Sequence, residues 1–463
     1  MTRPLAALCI ALTFAAPLAP LAEDRVPDSQ AEISLSFAPL VKQATPAVVN
    51  IYAKRIVESR SSPFADDPVF GDFFRSFGPS RPRVQNSLGS GVILTDDGYV
   101  VSNYHVVGGA DEIRVVLNDR REFNAKVLLA DKDADLAILK LEGAKDMPHM
   151  DLRDSDTVEV GELTLAIGNP FGVGQTVSSG IVSGLARSGT ATGNERGYFI
   201  QTDAPINPGN SGGALIDVKG RLIGVNTSIL SRSGGSNGIG FAIPAGLVKE
   251  FLKQAEEGQT TFQRPWAGIS GQPVDADMAT HFGLDRPEGI AITDMHDSSP
   301  FKAAGFEVGD AILAVDGYPV SSPPEMIFRM TVAGLGNSVS VTRLHDGKTK
   351  DISVKLTAAP EDPARDPLTT ASDSVIPGLG LVTVNPAVIA ESQLSFDATG
   401  AMITDPGAIG ARAGLKEGDV IREVNGDTVG SSQQAADALR HAKNFLALSV
   451  LRDGQTLTMR FRL

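Results

Sequence analysis

The chain alternates short apolar runs with glycine and polar breaks over most of its first half. Glu112 to Val116 switches between polar and apolar almost residue by residue, as a strand with one buried face does. Gly89 to Thr95, Tyr99 to Ser102, Leu136 to Leu141, Leu163 to Gly168 and Val177 to Gly184 are apolar, β-branched runs of strand length. Runs of that kind predict an all-β barrel rather than alternating strands and helices. Ala245 to Glu257 reads as a closing helix. Beyond Thr261 the chain repeats itself. Ala-Gly-Φ-x-x-Gly-Asp-x-Ile-x-x-Val-Asp/Asn-Gly (Φ apolar) occurs at Ala304 to Gly317 and again at Ala413 to Gly426. A helical tail follows each copy, at Pro324 to Val332 and Gln433 to His441, so this is a duplicated domain rather than an array of short units.

Length and composition fit that division. A chain of 463 residues suggests about three domains. Its 42% apolar content is that of a globular protein with several cores. The net charge of −14 argues against a nucleic-acid partner and reads as a solubility feature. Arg3, the apolar stretch Leu5 to Phe14 and the small residues and prolines up to Ala22 read as a secretory signal. Cleavage is expected after Ala22, although Pro20 fits poorly at the third position back, and a retained single-span anchor is the alternative. Cys9, the single cysteine, lies inside this segment. A mature chain without thiols needs no disulfide in an oxidising compartment.

Asn-Pro-Gly-Asn-Ser-Gly-Gly-Ala-Leu, residues 207 to 215, carries the strongest chemical signal. Glycines around Ser211 allow a tight turn that exposes amide N–H groups beside a hydroxyl. A serine hydroxyl needs a base, and only His105 and His149 of the six histidines precede it. His105 ends the β-branched run Tyr99 to Val107, whereas His149 follows Met147-Pro148 in a loop-like stretch. Asp131 to Lys140 joins an acidic turn to an apolar strand, and Asp131, Asp133 or Asp135 could orient the imidazole. The chain order His, Asp, Ser is that of chymotrypsin. Metal-ligand spacings and a P-loop are not found, so no metal and no cofactor is expected.

These segments resemble the HtrA/Deg family of trypsin-like serine endopeptidases over nearly the whole mature chain. Ser102 to Val106 matches the family's Thr/Ser-Asn-x-His-Val, Asp131 to Ala137 its Asp-x-x-x-Asp-Leu-Ala, and Gly209 to Gly213 its Gly-Asn-Ser-Gly-Gly. The resemblance implies a mainly β protein: a chymotrypsin-like double β-barrel protease domain followed by two α+β PDZ domains. It implies His105, Asp135 and Ser211 as the catalytic triad, with an oxyanion hole in Gly209, Asn210 and Ser211. It places Ile206, Ile229 and Leu230 in an apolar specificity pocket that favours small aliphatic residues. The domains then run as signal peptide 1–22, protease 23–261, first PDZ 262–358, linker 359–375 and second PDZ 376–463. A long regulatory loop is expected at 58–86, an activation-sensor loop at 186–197 and a specificity loop at 228–238. The linker, rich in Pro, Asp and Thr, reads as extended and mobile. Trp266, Ala267, Gly268 and Ile269 form the first PDZ's carboxylate-binding loop, with Ala267 where leucine is usual, and Ile376 to Leu381 is the weaker second equivalent. The implied partners are unfolded or misfolded proteins, peptide C-termini and copies of the chain, as a homotrimer built through Phe37 and Tyr52 or a higher oligomer of trimers. Peripheral membrane association is compatible with this. The implied activity is ATP-independent proteolysis in the periplasm with chaperone-like holding. A mostly latent protease acting as a PDZ-bearing scaffold is the alternative from another class.

Overall fold

The computed structural model describes residues 36–57, 83–169, 174–189, 194–207, 209–229, 238–443 and 445–462. The expected signal peptide therefore lies outside the described residues, as do Leu230 and residues 58–82 of the expected regulatory loop.

Six strands close a first barrel: β1 (Val48–Val57), β2 (Arg83–Ile93), β3 (Tyr99–Ser102), β4 (Glu112–Val116), β5 (Glu122–Asp131) and β6 (Leu136–Leu141). Six more close a second: β7 (Leu163–Gly168), β8 (Thr176–Gly189), β9 (Asn194–Thr202), β10 (Ala214–Ile216), β11 (Leu222–Ile229) and β12 (Gly240–Pro244). Both barrels share one strand order, β1-β2-β3-β6-β5-β4 and β7-β8-β9-β12-β11-β10. The unbroken apolar runs follow from burial on both strand faces. Val100, Ala137 and Leu139 point into the first barrel, and Ala166 into the second. Their neighbours Val101, Leu136, Ile138, Leu165 and Ile167 point into a third cluster between the barrels. The helix Ala245–Glu256 covers that cluster with Val248 and Phe251.

Two departures from the sequence reading concern strand length. Residues 83–86, assigned to the regulatory loop, begin β2 and pair with β1. Residues 186–197, read as a polar loop, instead lengthen β8 and β9 on either side of residues 190–193, which lie outside the described set.

The duplicated C-terminal units have matching sheets. The first runs β13 (Ile269–Pro273), β14 (Ile290–Met295), β15 (Ala311–Val315), β17 (Ser338–His345), β18 (Lys348–Lys355), with β16 (Tyr318–Pro319) on β15. The second runs β19 (Leu368–Thr369), β20 (Gly380–Thr383), β21 (Ala401–Asp405), β22 (Val420–Val424), β24 (Phe445–Arg452), β25 (Gln455–Arg462), with β23 (Asp427–Thr428) on β22. The repeated motif now has a physical reason. Asp316 and Asn425 adopt φ of 48° and 54°, the left-handed turn that Asp-Gly and Asn-Gly favour. Their side chains accept from Ser340 N at 2.7 Å and Ala447 N at 2.8 Å, fixing the neighbouring strand. The motif's Asp310 and Asp419 are buried and paired with Arg343 and Arg452. The helices Pro323–Ala333 and Ser432–His441 are where the repeat placed them.

Residues 359–375, expected as a free linker, are instead tied to the second unit. Leu368 and Thr369 form β19, and Arg365 clamps Glu361 and Glu391.

Candidate active site

The cleft between the barrels gathers the three motif residues. His105 sits on a single helical turn, Tyr104–Val107, immediately after β3. Asp135 stands in the turn from β5 to β6 with φ of 52°. The Asn103 amide donates to the Asp135 carbonyl at 3.0 Å, and the His105 backbone N–H donates to Asp135 Oδ1 at 3.0 Å. The two segments are thus locked by bonds between side chain and backbone. His105 Nδ1 then lies 2.9 Å from Asp135 Oδ2. A carboxylate only accepts, so Nδ1 carries a proton and the lone pair of the neutral ring lies on Nε2. The His105 side chain is 51% exposed and that of Asp135 20%, so the imidazole edge faces the open cleft while its partner is sheltered.

Thr227, on β11 of the second barrel, completes this group and was missed in the sequence. Its hydroxyl donates to Asp135 Oδ2 at 2.6 Å, and its carbonyl accepts from Ser211 Oγ at 3.0 Å. In this conformation the Ser211 hydroxyl is turned to Thr227 rather than to the His105 ring. Catalytic hydrogen bonds that are long or misdirected in a free enzyme commonly close on substrate binding.

The nucleophile's turn is pressed against both barrels. Ser90 N donates to Ser211 O at 2.9 Å, and Ser90 Oγ donates to Gly209 O at 2.6 Å. A Cβ on Gly212, at φ 83°, would stand 2.1 Å from Ser90 O, and one on Gly213 would stand 2.2 Å from Ile167 O. Neither position admits a side chain. The Gly209 and Ser211 amides have no hydrogen bond among the described residues, which leaves them available to a substrate oxygen. The Asn210 amide does not share that freedom. It donates to Asn207 O at 3.0 Å, and the buried Asn210 side chain accepts from Thr176. Asn210 therefore props the turn in this conformation, with its amide held by Asn207.

Of the expected pocket residues, Ile206 is 1% exposed and packs with Val182, Ile200, Leu215 and Ala242 inside the second barrel. The Ile229 side chain and Leu230 lie outside the described residues, so no pocket is drawn around the three. The other candidates also find places. His149 Nδ1 lies 3.2 Å from Met147 O, away from the cleft group. Asp131 is bridged to Arg264 by two bonds of 2.7 Å and caps the turn through Ala134 N. Burial alone would raise the Asp131 carboxyl, but Arg264 and the turn amides outweigh it and hold it below the usual carboxylate value. Phe37 packs on the inter-barrel core, and Tyr52 lies under the Arg114 guanidinium. In the first PDZ-like unit Trp266, Ala267 and Gly268 are buried. Ala267 points into the core, and its carbonyl accepts from Ser299 Oγ at 2.7 Å. Ile269 opens β13. Among the described residues no cluster suited to a metal ion occurs, and no helix is long and apolar enough to cross a membrane.

Comparison with known proteins follows the same division. A trypsin-like peptidase domain matches residues 89–225, and PDZ domains match residues 266–356 and 404–449. A probable periplasmic serine protease do/HhoA-like of Haemophilus influenzae is 39% identical, covering 90% of each chain. A probable periplasmic serine endoprotease DegP-like of Pseudomonas putida is 37% identical over 94% of each. Among solved structures, the HtrA-type protease AlgW with a decapeptide aligns with a TM-score of 0.52 and 38% identity, over 70% of this chain and 99% of that one. The same protease with a tripeptide gives 0.54 and 37%, over 70% and 98%.

Proposed function

Because this chain belongs to the HtrA-type serine endoproteases, we propose that Ser211 is its nucleophile, His105 its general base and Asp135 the group that orients His105. The observation that carries this is the His105–Asp135–Thr227 chain of hydrogen bonds, which uses one imidazole nitrogen and reaches Ser211 Oγ through the Thr227 carbonyl. A substrate carbonyl entering the cleft draws Ser211 Oγ from Thr227, and His105 Nε2 takes its proton. The Oγ–carbon bond forms, and the Gly209 and Ser211 amides receive the developing oxyanion. His105 returns the proton to the leaving amine as the peptide bond breaks. Water, deprotonated by His105 in turn, attacks the acyl carbon, and His105 returns that proton to Ser211 Oγ as the ester bond breaks.

The imidazole of the site is exposed to the cleft. Extended segments of unfolded or misfolded proteins are its substrates, cut without ATP. We place the enzyme in the periplasm, as a homotrimer or a higher oligomer of trimers, with peptide C-termini as ligands of the PDZ domains. A pocket of Ile206, Ile229 and Leu230 would select small aliphatic side chains.

A second reading has its own support. The Ser211 hydroxyl turned onto Thr227 is a resting arrangement, as expected of a mostly latent protease that holds clients. One experiment separates the two: incubate the mature protein and its Ser211→Ala variant with an unfolded model protein, without ATP. Fragments from the parent alone support the nucleophile assignment. Specific fragments from Ser211→Ala would overturn it, and intact client bound by both proteins would favour the latent reading.

A further inference from the structure

Laid over one another, the two PDZ sheets match strand for strand, β13 to β18 on β20 to β25, and leave β19 over. That surplus strand lies where a PDZ domain receives its peptide. Such domains add a ligand strand to a sheet edge and capture its terminal carboxylate on loop amides. In the first unit no strand pairs with that edge among the described residues. β13 ends its sheet with Ser270, Gln272 and Pro273 exposed, and the Ala267 and Gly268 amides have no hydrogen bond among the described residues.

In the second unit all of this is taken. β20 is buried at every residue. β19 pairs antiparallel with it, Leu368 opposite Leu381 and Thr369 opposite Gly380. Antiparallel is the direction a bound C-terminus runs. Thr370 then stands at the loop in place of a carboxylate. Its carbonyl accepts from Gly378 N at 3.0 Å, and its Oγ1 accepts from Leu379 N at 2.9 Å. Leu368 reaches the second unit's core as a ligand side chain would. The far end is held too, since Thr383 N donates to Arg365 O at 2.6 Å and Ser432 Oγ, on the flanking helix, to Asp366 O at 2.7 Å.

We infer that residues 365–370 are a built-in ligand of the second PDZ domain. They close its groove to peptide C-termini and leave the first domain as the chain's peptide receptor. Two acceptors of one threonine replace the two oxygens of a carboxylate, and covalent attachment makes the occupant hard to displace.

The test uses the full chain carrying Ser211→Ala, so that peptide survives and the outcome does not depend on the proteolytic reading. The probe is a fluorescein-labelled decapeptide with a free, apolar C-terminal residue. Leu368→Ser combined with Thr370→Val removes the side-chain plug and the second acceptor. Opening the groove should add one binding site per chain in an anisotropy titration. A folded double variant with no added site would overturn the inference. Hydrogen exchange on the chain without these two substitutions decides the matter if the double variant does not fold. Gly378 and Leu379 amides should exchange slowly, at a rate unmoved by saturating peptide. Fast exchange there, or loss of β19 protection on adding peptide, would sink the proposal.

Discussion

Thr227 shows how much of this site rests on a residue with no chemistry of its own. One residue joins the two barrels, by its side chain on one side and its backbone on the other. Its hydroxyl holds Asp135 from the first, and its carbonyl holds Ser211 in the second. A hydrogen bond to a charged acceptor is worth roughly 1.5–3 kcal/mol. Thr227→Val keeps the shape and deletes the donor, so kcat should fall by about tenfold to a hundredfold. KM should stay close to the parent's, because the strand and its burial are kept, while the lost bond lowers the melting temperature by a few degrees. Steady-state kinetics on an unfolded substrate checks this, and an unchanged kcat would remove Thr227 from the positioning network. The His105, Asp135 and Ser211 segments could be picked out in the sequence because each sits in a compact motif, and the structure links their side chains through Thr227. Thr227 was not, since it lies mid-strand in an ordinary β run and acts only across the cleft. The local bond of Asn210 was not legible either, because its amide is held by Asn207 O within the turn itself.

At the scale of elements, the turn joining β5 to β6 is the piece whose geometry matters most. Asp131 caps it from below, and Arg264, at the entry to the first PDZ domain, grips Asp131 with two bonds. Truncating one partner of such a half-sheltered pair costs about 2 kcal/mol, between the values for exposed and buried pairs. Arg264→Ala should therefore lower the protease domain's melting temperature by a few degrees at neutral pH. Asp131 is held below its unfolded value of about 3.9. A depressed carboxyl stabilises above that value, and its contribution fades as pH falls through the lowered one. The deficit should thus be constant from pH 8 to 5 and shrink only below about pH 4. Melting curves across that range check it, and a deficit that vanishes by pH 6 would exclude the bridge as its source. Strands such as Leu136–Leu141 and Leu163–Gly168 were legible to the residue because burial on both faces makes them continuous apolar runs. β19 was hidden by composition. Asp, Pro and Thr around it read as unpaired chain, and what orders it is the distant loop Ile376 to Leu379.

Across the whole molecule, the duplicated motif announced two PDZ domains, but not how the first one sits on the barrels. Tyr198 of β9 stacks on Phe328 of the helix Pro323–Ala333 with ring centroids 3.9 Å apart. Arg329 pairs with Asp156 and lies over the Tyr318 ring. Burial, against the pull of Arg329, pushes the Tyr198 phenol up to about 12. It therefore stays neutral at any working pH, and the contact is indifferent to pH where the Arg264 bridge is not. Such an aromatic contact holds the β13 edge at a fixed station relative to Ser211. A client captured there would reach the cleft along a set path, whereas a short peptide would reach it by diffusion alone. Phe328→Ala removes the stack and frees that station. Turnover of a long unfolded client should then fall several-fold while turnover of a short peptide substrate stays within about twofold. Equal losses on both would mean that the contact acts through β9 on the catalytic turn, and that the first PDZ domain regulates the site rather than feeding it.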